Sequence, residues 1–213
     1  MNLAKLFAMQ KELDARILAE HPVQEGEDRL AKKILALLVE LGELANEWRG
    51  FKYWSKDQKP RTEKQVICSA CNGEAVWYTG HIEDGLPHTE ACDYCHGTGY
   101  EIVGNPLLEE YVDCMHFILS IGNELGYQYT PRTYMVSDDV TKIFIEINYK
   151  ASELAYIVSE FEMKSHRYAF DAYQDLFDCF LWLGKKLGFT WAQVEHAYYQ
   201  KNKENFRRQE EGY

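Results

Sequence analysis

The chain is expected to fold as an all-α, multi-helix bundle interrupted once by a small metal-stabilised insertion. Three observations predict this. Apolar residues recur at helical spacing over residues 2–20, 27–49 and 106–122. Two Cys-x-x-Cys pairs, Cys68/Cys71 and Cys92/Cys95, stand twenty residues apart in a polar, glycine-rich stretch between the second and third of these patterns. Of the 213 residues, 46% are apolar and 14% aromatic, enough for a substantial core.

Taken in chain order, the first helix presents Leu3, Leu6, Phe7, Met9, Leu13, Ile17 and Leu18 along one stripe. The second, residues 27–49, runs into an aromatic loop, Gly50-Phe51-Lys52-Tyr53-Trp54-Ser55, and then a polar stretch through Pro60. Residues 66–102 form the insertion, leaving 1–65 and 103–213 as a discontinuous helical domain. The spacing of Cys68, Cys71, Cys92 and Cys95 suits two knuckles closing one tetrahedral Zn²⁺ site, with a redox-active dithiol pair as the alternative. The stretch resembles the C-x-x-C-x-G-x-G repeats of the DnaJ-type cysteine-rich fold, although Cys-Ser-Ala-Cys-Asn-Gly-Glu lacks the second glycine. An insert this small and polar cannot bury its own core, so a structural zinc is expected to supply most of its folding free energy. His81, His88 and His96 read as surface loop residues beside a shell that four thiolates already complete. Cys114 and Cys179 lie on apolar helical faces and read as small buried side chains.

Two acidic pairs interrupt the apolar patterns. Glu40-x-x-Glu43 sits within Ile34–Ala45, and Glu110-x-x-Asp113 within Leu107–Leu119. Residues three apart share a helix face, so each pair sets two carboxylates side by side on the stripe that packs inward. Such a pair taken alone is usually a solvated face. Here both fall in the buried register with too few Lys or Arg nearby, and carboxylates in that position call for a cation such as Mg²⁺.

The C-terminal half reads as a worn copy of the first. Gly122-Asn-Glu-Leu-Gly126 matches Gly184-Lys-Lys-Leu-Gly188 at an offset of 62, which carries Asp113 onto Asp175 and Glu110 onto Ala172. Ser152-Glu153-Leu154-Ala155-Tyr156 likewise follows Val39-Glu40-Leu41-Gly42-Glu43, with Tyr156 in place of the second acid. If the repeat is real, one half kept the acidic site and the other became scaffold.

The formal charge of -11 disfavours non-specific binding to a polyanion, and nucleic acid is not an expected partner. An anionic phosphate ester would have to arrive with its cation. The absence of an N-terminal apolar h-region and of any run of eighteen apolar residues makes a cytoplasmic protein without membrane spans the expectation.

Three runs together carry a specific resemblance: Glu40-Leu-Gly-Glu43-Leu-Ala-Asn46-Glu47-Trp48-Arg49-Gly-Phe51-Lys52-Tyr-Trp54-Ser55, then Leu108-Glu109-Glu110-Tyr-Val-Asp113-Cys-Met-His116-Phe117, then Lys201-Asn202-Lys-Glu-Asn205-Phe-Arg-Arg208-Gln209-Glu-Glu-Gly212-Tyr213. The chain resembles the dimeric (type 2) dUTPases of the all-α, MazG-like nucleoside triphosphate pyrophosphatase superfamily, from about Gln10 to Tyr213 apart from the insert. The resemblance implies hydrolysis of dUTP, and of dUDP, to dUMP by a homodimer. It implies two or three Mg²⁺ ions held by Glu40, Glu43, Glu110 and Asp113, with Glu43 or Glu40 taking a proton from the attacking water, and attack at the β-phosphorus. Lys201, Asn205, Arg208 and Tyr213 correspond to tail positions that contact phosphates, with Lys52 assisting. The tail is then expected to order only around nucleotide. Gln10 and a partner one turn later, here Asp14 where the family has Asn, line the base site. Trp54 is placed to pack on the base, and His116 with Phe117 to wall the sugar. Trp48 and Phe51 suit the core equally well.

Aromatic and aliphatic residues in the last third, Tyr168, Phe170, Tyr173, Phe177, Phe180, Leu181 and Trp182, suggest more apolar face than one bundle can bury, hence a subunit contact. A related pyrophosphatase acting on dCTP or modified nucleotides, and a non-catalytic zinc-ribbon binding module, are the alternative readings.

Overall fold

The structure, a computed structural model, describes residues 2–83, 85–132, 137–160 and 166–212. They divide into two compact units, one running through Pro60 and resuming at Leu107, the other Arg61–Pro106.

Six helices are found among the described residues: α1 (Leu3–Glu20), α2 (Arg29–Trp48), α3 (Pro106–Leu125), α4 (Val140–Glu160), α5 (His166–Lys186) and α6 (Trp191–Glu210). Short polar side chains start three of them by accepting an otherwise unpaired amide of the first turn. Asn2 takes Lys5 N–H, Asp28 takes Ala31 N–H, and Thr190 with Gln193 closes a capping box. α4 packs on α5, α2 on α4 and α1 on α6, around a shared apolar core. Tyr173, Phe177 and Phe180 are fully buried in that core, so most of the aromatic surplus expected to face a second subunit is consumed within one chain. Tyr168 alone of the largest of these rings is exposed.

The internal repeat has a structural counterpart in the packing of α3 on α5. Tyr111 donates its hydroxyl hydrogen bond to the Phe180 carbonyl at 3.1 Å, and Tyr173 donates to the Ile118 carbonyl at 3.1 Å. Both donors and both acceptors differ by the same 62 positions. Each hydroxyl lies over a glycine of the opposite helix: a Cβ at Gly184 would sit 2.6 Å from Tyr111 Cζ, and one at Gly122 would sit 2.7 Å from Tyr173 Cζ. The two glycines are therefore required by the close approach of a ring, not by backbone conformation.

No helix is found among the described residues of 61–105. The Arg61–Pro106 unit is built of two antiparallel ribbons, β1 (Lys64–Ile67) with β4 (Tyr100–Gly104) and β2 (Val76–Glu83) with β3 (Leu86–Ala91). Its buried centre consists of Cys68, Cys71, Cys92 and Cys95, with Ala70 packed against them. His81 and His88 stand on the strands β2 and β3, correcting the expectation of loops, and both are exposed. After the second cysteine of each knuckle the chain turns left-handed twice, at Asn72 and Gly73 and again at His96 and Gly97. Cys68 N–H then reaches Gly99 O, and Cys92 N–H reaches Ala75 O, both at 2.9 Å. Ala75, at φ 66°, occupies the turn where the second motif has Gly99, so the missing glycine is tolerated at a backbone cost of about 1–2 kcal/mol.

Candidate functional site

α2 and α3 bring Glu40, Glu43 and Glu110 together, with one carboxylate oxygen of each within 4.8 Å of the others. The acids border the inward stripe and do not fill it: Leu37, Leu41 and Leu44 of α2 are buried, whereas Glu40 and Glu110 are half-buried and Glu43 is exposed, which corrects the expectation that both pairs sit in the buried register. Burial first, then the charges of Asp113 and Glu43, push the Glu40 carboxyl up to about 7. Burial followed by Asp113, Glu40 and Glu43 does the same to Glu110. This is how carboxylates behave when they lack a cation, and an oxygen-rich, anionic cluster is the donor set a hard divalent ion takes. The fourth predicted acid, Asp113, is turned to Lys201, whose ammonium lies 2.6 Å from Oδ2. Glu47, one turn beyond Glu43, keeps Oε2 buried with no hydrogen-bond partner among the described residues, a residue that the acidic-pair pattern did not single out.

Glu40 and Asp113 also border a cavity of about 890 Å³ in the helical unit. Lys201, Asn205 and Arg208 from α6 line it, and so do Gln10 and Asp14 from α1 and His116, Phe117 and Ser120 from α3. The tail positions Lys201, Asn205 and Arg208 lie within α6, which runs through Glu210. Tyr213 lies outside the described residues. Lys52 and Trp54 follow α2 in an exposed loop and are not among the cavity-lining residues. Trp54 stands edge-on to Phe51 at 5.8 Å. Trp48, by contrast, packs on Phe144 of the core.

The α1 and α3 residues in the cavity wall form one hydrogen-bonded chain. Gln10 is buried; its amide oxygen accepts from Tyr198 Oη at 2.8 Å and from His116 Nδ1 at 2.7 Å. Its amide nitrogen donates to Asp14 Oδ1 at 2.9 Å, which also accepts from Ser120 Oγ at 2.9 Å. Tyr198 stacks on the His116 ring, centroids 4.1 Å apart. Burial, then Lys201, lower His116 to about 3, so the imidazole is neutral with its proton on Nδ1. Burial raises the Asp14 carboxyl, against the hydrogen bond from Gln10 and the charge of Lys33. Ser120 and Tyr198 are members of this chain that sequence reasoning missed. They lie 106 and 188 residues from their α1 partners, and no local pattern marks them.

In the second unit the four cysteines are free thiols with Cys68 and Cys92 Sγ 3.9 Å apart and Cys71 and Cys95 Sγ 3.7 Å apart. All four offer their sulfur within 4.8 Å of one another. Burial works to raise Cys95, but the Gly99 amide, 3.2 Å from its sulfur, and the other thiols outweigh it and bring it down to about 6. A buried cluster of four sulfurs with an amide aimed at one of them fits a tetrahedral zinc shell.

The family model for dUTPase matches residues 2–68 and 101–213. The chain belongs to this dUTPase family. Members are metal-dependent dUTP diphosphatases, so the carboxylate cluster and the cavity belong to an enzyme of dUTP hydrolysis. The unmatched residues 69–100 are the heart of the cysteine unit, which this dUTPase carries in addition to its family's fold. No curated protein and no solved structure matches the chain. No helix among the described residues is long and apolar enough to cross a membrane.

Proposed function

We propose that this chain hydrolyses dUTP to dUMP and pyrophosphate, and dUDP to dUMP and phosphate, in a Mg²⁺-dependent reaction. The observation that carries this reading is the convergence of Glu40, Glu43 and Glu110 beside a cavity whose other walls offer Lys201, Asn205 and Arg208, in a member of the dUTPase family. Two or three Mg²⁺ ions, held by these carboxylates and by Asp113 once it leaves Lys201, would neutralise the phosphate chain and acidify the attacking water.

Glu43, exposed at the rim of the cluster, or Glu40 beside it, orients the water and takes its proton. The water adds to one phosphorus, the family precedent being the β-phosphorus, while one bridging P–O bond breaks. Lys201, Asn205 and Arg208 hold the phosphate oxygens. Lys201 is then the moving part: its contact with Asp113 is exchanged for substrate when nucleotide and cation arrive together. Phe117 and His116 bound the sugar, and the Gln10 network faces the base. Lys52 and Trp54 join only if the loop after α2 closes on bound nucleotide.

We further infer one structural zinc in the cysteine unit and a homodimer. Exposed apolar residues on α4 (Ile145, Tyr149, Tyr156) and α2 (Leu35, Val39) support the dimer better than the buried α5 aromatics do. The test is pyrophosphate release from dUTP by the purified chain. Turnover with Mg²⁺ and none with chelator is expected. No turnover of dUTP at any Mg²⁺ concentration would overturn the reading. Elemental analysis of protein purified under reducing conditions is expected to find one zinc per chain.

A further inference from the structure

The geometry points to the outer edge of β2 in the cysteine unit as a docking strand for an extended, basic segment of a partner protein, held by main-chain hydrogen bonds. The unit spends its apolar residues on the surface. Ten of the twenty exposed large apolar side chains among the described residues belong to it, although it is the smaller unit. Its buried centre is four cysteines with Ala70 against them, so these side chains serve no core. Trp77 and Tyr78, adjacent in β2, point to opposite faces of the ribbon, and both are exposed. Ile82 is 77% exposed and Leu86 70%, so neither face is closed off. A two-stranded ribbon wet on both faces is marginal by itself, and a third strand is what stabilises it.

Strand edges that must stay single are blunted with Lys or Pro. β1 opens with Lys64 and β3 holds Pro87. β2 has neither across its eight residues. Among the described residues no element but β3 hydrogen-bonds to its backbone, so its far edge presents a row of N–H and C=O groups. Charge then selects the occupant. Residues 61–106 hold seven Asp or Glu against Arg61 and Lys64. Glu90 pairs with Trp77 across the ribbon and Glu74 stands just before β2, both exposed. A second copy of the unit would bring the same acidic surface and be repelled, as would nucleic acid or an anionic membrane. A segment alternating basic and apolar residues meets the open edge, the apolar side chains and the acids at once.

The test uses the full chain as purified and a fluorescent peptide of about ten residues alternating Lys and Val, beside one alternating Glu and Val. Fluorescence anisotropy is expected to show binding of the Lys peptide, weakened by added salt, and none of the Glu peptide. Amide exchange is expected to slow in Val76–Glu83 when the Lys peptide binds and to stay unchanged in Lys64–Ile67. Tyr78→Lys, at a position 64% exposed, is expected to keep the fold and dUTP turnover and to weaken binding about tenfold, the scale of a lost aromatic neighbour with an added like charge. No binding of the Lys peptide, equal binding of both peptides, protection outside β2, or undiminished affinity in a folded Tyr78→Lys protein would overturn the inference. Protection of β2 that grows with protein concentration in the absence of peptide would overturn it too, by making a second copy the occupant. None of these outcomes bears on the dUTPase reading.

Discussion

The acidic site on α2 and α3 and the corresponding ground on α4 and α5 began from similar residues and now balance their charge differently. Asp175 stands 62 positions after Asp113, and Glu153 matches Glu40 in the second repeat. In the second half Lys150 lies 3.0 Å from Glu153 and 3.2 Å from Asp175, while Arg132 reaches Asp175 at 2.6 Å and Asp178 at 3.0 Å. Burial alone would depress Lys150, yet its hydrogen bonds and charge pairing with Glu153 and Asp175 raise it. Three carboxylates there meet two built-in cations. In the first half Glu40, Glu43, Glu110 and Asp113 have Lys201 in direct contact, on Asp113. The second half carries its cations in the chain, whereas on the proposed reading the first half takes its cations with the substrate. A protein neutralises buried carboxylates wherever function does not need them open.

The sharpest way to break this comparison is to change the matched acids. Glu43→Gln is expected to lower dUTP turnover on the order of 1000-fold, about 4 kcal/mol of barrier, with the fold unchanged by circular dichroism. Glu153→Gln, in the filled half, is expected to stay within about twofold, as surface and scaffold substitutions do. Equal losses in steady-state assays would erase the distinction.

The shared packing gives the second test. Gly122→Ala and Gly184→Ala each drive a methyl into a tyrosine ring and dislodge its hydroxyl from a carbonyl of the opposite helix. Each is expected to cost about 2–4 kcal/mol in denaturant unfolding. Similar losses at both positions would confirm the reciprocal arrangement, and a neutral result at either would refute it there.

Much of this was legible in the sequence and some was not, for reasons of range. Glu40/Glu43, Glu110/Asp113 and the cysteine pairs announce themselves because their spacing is that of one helix turn or one knuckle. The role of Lys150 was not legible, since its partner Asp175 lies on another helix and only packing joins them. The insert's strands were missed because β1 and β3 are exposed on both faces and carry no alternation for periodicity to detect. Asp113, legible as a ligand by spacing, is found on Lys201, a contact between α3 and α6 that only packing brings about.

Removing the internal cation sharpens the comparison at a smaller scale. Lys150→Met is expected to destabilise the protein by about 2 kcal/mol, less than for a fully buried pair because Asp175 keeps Arg132. Part of that loss should return on adding Mg²⁺ or Mn²⁺, read as a rise in melting temperature that the wild-type second site does not give. No cation-dependent rescue would mean that the two halves are alike in sequence only.

The smallest expected effect concerns pH. The Glu40 carboxyl titrates near 7 in the folded chain against an ordinary 4.5, so folding favours its protonated form. That contribution to stability is fully present below 4.5 and is lost as pH rises through about 7. Glu40→Gln is therefore expected to raise the melting temperature of the metal-free protein by a few degrees at pH 8 and to leave it unchanged at pH 4. A gain of the same size at both pH values would assign the effect to something other than charge.

The antiparallel β1–β4 ladder, in which Lys64 pairs with Gly104 and Ile67 with Tyr100, has a consequence for how an enzyme acquires a new part. The chain leaves and re-enters the helical unit through two strands held about one hydrogen-bonding distance apart, roughly 5 Å. To the host, everything beyond that stem is equivalent to a short hairpin. Loop-closure entropy grows only logarithmically, about 0.6 kcal/mol for each doubling of length, so even an unfolded cysteine unit would present the helices with a longer tether and little more. An insertion closed by its own stem can be gained, lost or exchanged over evolution almost without consulting the fold that carries it.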